Sequence, residues 1–111
     1  MRLALVAWPG SAPPTDAALR ADLAAAGLDV FSWSDGPGAT YTPHSHDHDE
    51  TIVLVAGGMT FTIAGRDYTL GSPGDRLLLP AGTVHAARAG DVGAAYLIAS
   101  GAGRADPSSS A

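Results

Sequence analysis

Downstream of Gly27 the apolar residues come in short runs, several of them alternating with polar ones, and glycine or proline stands at nearly every junction. Residues 29–33 precede a turn at 34–38. Runs at 40–46 and 51–56 follow, with Gly57–Gly58 as a hairpin signal before the alternating segment 59–64. Residues 65–67 turn, 68–70 pair back and 71–74 turn again. Segment 76–79 leads through Pro80 and Gly82 to 84–88, then to a turn at 90–93 and a last run at 94–100. Some seven or eight strands at about 8–12-residue spacing predict an all-β sandwich, barrel or jelly roll. Strand parity turns Thr42, Ile52, Leu54, Met59, Phe61, Ile63, Leu77, Leu79, Ala87, Tyr96 and Ile98 inward.

The N-terminal quarter has a different rhythm. Residues 3–8 are apolar enough for a strand and stop at Pro9–Gly10. Thr15 has the features of a helix N-cap, Asp16 falls in the first turn, and Leu19, Leu23 and Ala26 recur at helical spacing through 17–26 before Gly27. This is the one predicted helix, and its alanine-rich apolar face is thin. Residues 101–111 carry no apolar pattern and end in Pro-Ser-Ser-Ser-Ala, as a disordered tail does. The expected organisation is therefore one domain over 1–100, with a strand and helix in 1–28 and a barrel in 29–100.

Composition narrows the function. The chain has 111 residues and a net charge of −5, with no cysteine, lysine, asparagine or glutamine. Absent cysteine excludes a disulfide framework, a zinc ribbon and a thiol nucleophile. Six scattered arginines on an acidic chain argue against nucleic acid as partner. The opening apolar run is too short for a secretory signal, and no stretch approaches the roughly 18–20 apolar residues of a membrane helix. A cytoplasmic protein without membrane partners is the expectation.

Against this background the His-Asp-Glu cluster stands out. Three of the four histidines, His44, His46 and His48, lie just before Glu50, the chain's only glutamate. On a strand His44, His46 and Glu50 share a face, which makes three donors for a metal. The fourth has to come from a distant strand, and His85 is the one histidine left. Imidazoles with one carboxylate suit first-row divalent ions such as Fe, Mn, Ni, Cu, Co or Zn. His48 has the same parity, so a register shift would make His46 and His48 the pair; otherwise it is a neighbour of the ligands or a proton shuttle. Asp47 and Asp49 face solvent or orient an imidazole. A run such as HSHDHDE also suits a solvated loop that binds stray metal weakly. Trp33, Tyr41, Met59, Phe61 and Tyr96 are candidates to shape a cavity, and Arg66, Arg76 and Arg88 are the nearest cations in sequence.

Spacing separates these readings. Gly38, His44, His46, Glu50 and Gly57 form one block, and Gly74, Pro80, Gly82 and His85 a second. In both, the intervals resemble the two signature motifs of the cupin superfamily, with residues 58–73 as a short insert. One position departs: the second motif commonly ends in asparagine where this chain has Ala89, which touches a turn rather than a ligand. The resemblance implies a small jelly-roll barrel, also called a double-stranded β-helix, with His44, His46, Glu50 and His85 binding one divalent transition metal. It implies glycines 57, 65 and 82 in turns and Pro80 at a strand end. It further implies a metal-dependent enzyme acting on a small molecule, a dioxygenase or other oxidoreductase first and an isomerase or lyase next. The alternative is a module that holds metal and metabolite without turnover. A homodimer through the apolar segment 1–8 is expected on the same grounds.

Overall fold

The computed structural model describes residues 1–101. Its elements are β1 (Ala4–Val6), α1 (Asp16–Ala25), β2 (Leu28–Asp35), β3 (Thr40–His44), β4 (Glu50–Ile63), β5 (Arg66–Leu70), β6 (Arg76–Leu79) and β7 (His85–Gly101). The helix forms where its capping residues stand. The Thr15 hydroxyl accepts from the Ala18 N–H at 3.1 Å, and Arg20 donates to Asp16 one turn back at 2.9 Å. Leu19 and Leu23 are its buried residues, packed with Val53, Leu97 and Ala99 on the side chains that point out of the barrel. The thin stripe thus covers a sheet and is not itself the core.

All pairings are antiparallel. β4 and β7 run side by side from Thr51 opposite Ala99 to Thr62 opposite Ala86. On its other edge β4 pairs with β6 through its first residues and with β5 through its last. β7 is shared in the same way, by β3 near its start and β2 near its end, and β1 extends the β6 edge. Two sheets therefore share their central strands, β1-β6-β4-β7-β2 on one side and β5-β4-β7-β3 on the other. This is the expected all-β jelly-roll barrel.

The shared strands correct two of the expected turns. Residues 51–56 and 59–64 belong to one strand, as do 84–88 and 94–100, so Gly57–Gly58 and the 90–93 segment lie inside β4 and β7. Pairing slips between Leu54 and Ala56 and again between Gly57 and Met59. These bulges bend the strands from one sheet into the other. Gly57 has φ +77°, and a Cβ there would collide with the Gly93 carbonyl oxygen. Glycine marks a close crossing of two backbones here, a signal it shares with tight turns.

The inward positions read from parity form one buried cluster, from Ile52 and Leu54 through Phe61 and Leu77 to Tyr96 and Ile98. Thr42 is the exception and is exposed. The β3–β7 pairing shifts between Tyr41 and His44, so parity read through that bulge fails. Gly101 closes β7, and the rest of the expected tail lies outside the described residues. Among the described residues no helix is long and apolar enough to cross a membrane.

Candidate metal centre

β3 ends on His44, β7 begins on His85, and the two are register partners. Glu50 is the first residue of β4. His46 is not on a strand, as parity assumed, but in the loop between β3 and β4. That loop is tied to the turn after β6: the Gly82 N–H donates to the His46 carbonyl at 2.8 Å, and the Ala81 N–H to Asp49 Oδ1 at 2.8 Å. The turn closes through the Thr83 N–H on the Pro80 carbonyl, with Gly82 at φ +77° in the position that needs positive φ. The Pro80–Gly82 signal of the second block therefore holds the first block's His46 against His85.

The three rings are close. Centroids are 4.4 Å apart for His44–His85, 5.1 Å for His44–His46 and 5.3 Å for His46–His85. One ligand atom from each lies within 4.8 Å of the others. His44 Nδ1 donates to the Thr42 carbonyl at 2.7 Å and His85 Nδ1 to the Thr83 carbonyl at 2.9 Å. A carbonyl only accepts, so the proton is on Nδ1 in both, and in the neutral ring Nε2 carries the lone pair. Burial, then the charges of His85, His44 and His48, lower the His46 pKa to about 4. It is neutral at pH 7, the form that ligates.

Glu50 sits beside this triangle and is 1% exposed. Burial raises its carboxyl pKa, against the opposing pull of His48 and His44. Oε1 stands 3.4 Å from His46 Nε2, and Oε2 is 3.2 Å from His48 Nε2. Among the described residues, neither His46 Nε2 nor Glu50 Oε1, both buried, has a hydrogen-bond partner. His48 is outside the triangle. Its Nδ1 faces Asp47 Oδ1 at 2.8 Å, so the ring is held between two carboxylates. Of the neighbouring acids, Asp47 orients an imidazole and Asp49 ties down the loop.

The donors fit a first-row divalent ion. Two donors on one ion at about 2.1 Å are at most about 4.2 Å apart, so the widest histidine pair has little distance to close. Neutral imidazoles, two with oriented Nδ1–H groups, and a carboxylate oxygen lacking a partner are the donor set such ions take. Sequence reasoning missed the orienting carbonyls, although each block repeats the triplet Thr-x-His immediately before its strand junction.

Of the aromatic candidates, Trp33, Tyr41 and Tyr96 join one hydrogen-bond network, and the Tyr41 ring is also 6.4 Å from that of His44. Tyr41 and Tyr96 donate to the two oxygens of Asp35 at 2.6 and 2.7 Å, and Trp33 Nε1 donates to the Tyr41 hydroxyl at 3.1 Å. Burial, then the hydrogen bond to Asp35, push the Tyr96 hydroxyl well above the ordinary phenol range. Phe61 lies 6.2 Å from the His85 ring, and Met59 is core. Arg66 lies over the Tyr68 ring at the surface, Arg88 is exposed and Arg76 half-buried. A hollow of about 460 Å³ opens beside His85, between Pro43, Ile63, Thr83 and Val84.

Fold and cluster together define a small all-β barrel with a histidine-lined interior site. One family model, described as Cupin domain, matches residues 31–100, and the chain belongs to that family. No curated protein matches the chain significantly. Solved structures similar to it include KdgF from Halomonas sp., 30% identical over 66% of this chain and 66% of that one, TM-score 0.59. DMSP lyase DddQ from Ruegeria pomeroyi DSS-3 is 28% identical over 76% of this chain and 41% of its own, TM-score 0.60. The polyketide cyclase RemF from Streptomyces resistomycificus, 22% identical over 71% and 57% at TM-score 0.61, shares the fold. The chain thus spans just under two thirds of KdgF and well under half of the lyase.

Proposed function

We propose that this chain is a metal-dependent cupin enzyme acting on a small molecule, with one divalent transition metal held by His44, His46, Glu50 and His85. The observation that carries the reading is the convergence of three imidazoles on one point beside buried, unpartnered Glu50 Oε1. When bound, such an ion supplies Lewis acidity toward a substrate oxygen. The chain's own part is to fix the donors. The Thr42 and Thr83 carbonyls hold two ring tautomers, burial keeps His46 neutral, and the 80–83 turn sets the position of the His46 loop. A dioxygenase or other oxidoreductase is the first reading of the chemistry. A lyase is the second, favoured by the likeness to DMSP lyase DddQ. Among the described residues no arginine lines the hollow beside His85, so in this reading a substrate anion depends on the metal for its countercharge. A homodimer through β1 belongs to the same proposal, since Leu5 and Val6 on that edge strand are 44% and 42% exposed.

The test is elemental analysis of the protein purified from its native host, followed by an oxygen-uptake and lyase screen. Stoichiometric iron or manganese with substrate-dependent uptake supports the oxidoreductase, and turnover without oxygen supports the lyase. Inertness with every metal replaces both with a binding module. Sedimentation as a monomer at high micromolar concentration overturns the dimer.

A further inference from the structure

Glu50 has two oxygens with different surroundings, and His48 is the cause. Oε2 meets His48 Nε2 at 3.2 Å, whereas Oε1 has no hydrogen-bond partner and lies on the His46 side. The terminal torsion of a glutamate side chain is broad and roughly two-fold, so nothing in β4 itself decides which oxygen faces the imidazoles. The His48 ring is held in turn, with Nδ1 2.8 Å from Asp47 Oδ1. Its side chain is 13% exposed while that of Asp47 is 86% exposed. The chain of contacts therefore runs from solvent through Asp47 and His48 to a carboxylate that is fully buried.

We infer that His48 is a positioning residue: anchored by Asp47, it holds Glu50 Oε2 and thereby presents Oε1 to the His44–His46–His85 cluster. This rests on the metal-site reading above and assigns His48 a role distinct from ligation. Its ring is not in the triangle, and its Nε2 is directed at a carboxylate oxygen. The role is separable from mere packing because it depends on one donor atom. An asparagine at 48 keeps a donor near the position of Nδ1, toward Asp47, and loses the contact to Glu50. A glutamine reaches the position of Nε2 and keeps that contact.

The experiment is a titration of chelator-treated protein with Co(II), read by its visible absorption, for the wild type, His48→Gln, His48→Asn and His48→Ala. His48→Asn and His48→Ala are expected to raise the dissociation constant about 10–100-fold, as loss of an outer partner of a ligand does. His48→Gln is expected to stay within a few-fold of wild type, with an unchanged spectrum. In a Glu50→Ala background His48→Ala is expected to add nothing. Wild-type affinity in His48→Asn overturns the inference. So does a His48→Gln variant as weak as alanine with an altered Co(II) spectrum, because His48 is then itself a ligand. A His48→Ala effect that persists without Glu50 also overturns it, leaving only packing. Failure of the wild type to bind Co(II) brings down the site reading and this inference together, whereas binding that ignores His48 removes this inference alone.

Discussion

Two polar clusters share this barrel, and they differ in whether their hydrogen bonds are complete. Around Asp35, each carboxylate oxygen accepts a tyrosine hydroxyl, and Trp33 donates to one of those hydroxyls. Around the histidines, His46 Nε2 and Glu50 Oε1 are buried with no hydrogen-bond partner. An unsatisfied buried polar atom costs about 1–3 kcal/mol, and these two stand 3.4 Å apart beside the other imidazoles. The completed cluster already has its partners and serves to join β2, β3 and β7. Both involve aromatic or imidazole rings in one interior, so residue type alone does not separate them; the accounting of donors and acceptors does.

The sharpest way to break this contrast is at the incomplete cluster. His85→Ala, and likewise Glu50→Ala, should weaken metal binding by more than the roughly 100-fold upper range for an outer partner, with the β-sheet circular dichroism unchanged. Stoichiometric metal in both variants after dialysis would refute the ligand assignment. At the complete cluster the loss should be one of stability. Asp35→Ala leaves two hydroxyls without their acceptor and should lower the unfolding free energy by about 2–4 kcal/mol in denaturant, with metal stoichiometry intact. If that variant loses its metal, the two regions form a single unit.

Protonation provides a third, smaller contrast. In metal-free protein the His46 ring should titrate by NMR near 4, not at its ordinary 6.5. Its folded pKa lies below the unfolded one, so the unfolded chain binds the extra proton between those values. The His46 contribution to stability is therefore complete above about pH 6.5 and is lost as pH falls toward 4. Glu50, shifted upward, acts in the opposite sense and loses its contribution as pH rises above its ordinary value. The net fall on acidification should stay under about 3 kcal/mol, and a ring titrating at 6.5 would remove it. The smallest effect expected is that of Tyr96→Phe, which leaves Asp35 one partner and should cost about 1 kcal/mol. A larger loss would show that the Asp35 cluster is coupled more tightly than its pairs suggest.

Much of this is legible in the sequence. The helix announced itself through Thr15, Asp16 and Gly27 because caps are local chemistry. The two spaced blocks marked His44, His46, Glu50 and His85, and the structure brings the three histidines together with Glu50 beside them. Legibility ended where a position depends on pairing. Gly57 and Gly93 look like hairpin glycines, yet they bend continuous strands, since a close backbone crossing demands the same residue as a turn. Thr42 lost its inward place to a bulge that no alternation pattern reveals. The Asp35 cluster joins residues from three strands, and His48 acquired its partner only when the loop at 45–49 was fastened to the 80–83 turn.

The register pairing of His44 with His85 has a kinetic corollary. These residues sit far apart along the chain, and they meet only once β3 has docked on β7, a non-local contact of the kind that makes β-barrels slow to fold. A collapsing chain therefore offers an ion no assembled site to bind. An ion held by this cluster would bind after β3 has docked, so its free energy would appear in the unfolding rate and leave the folding rate nearly untouched. Loss of such an ion would then shorten the lifetime of the native state without changing how quickly it is reached.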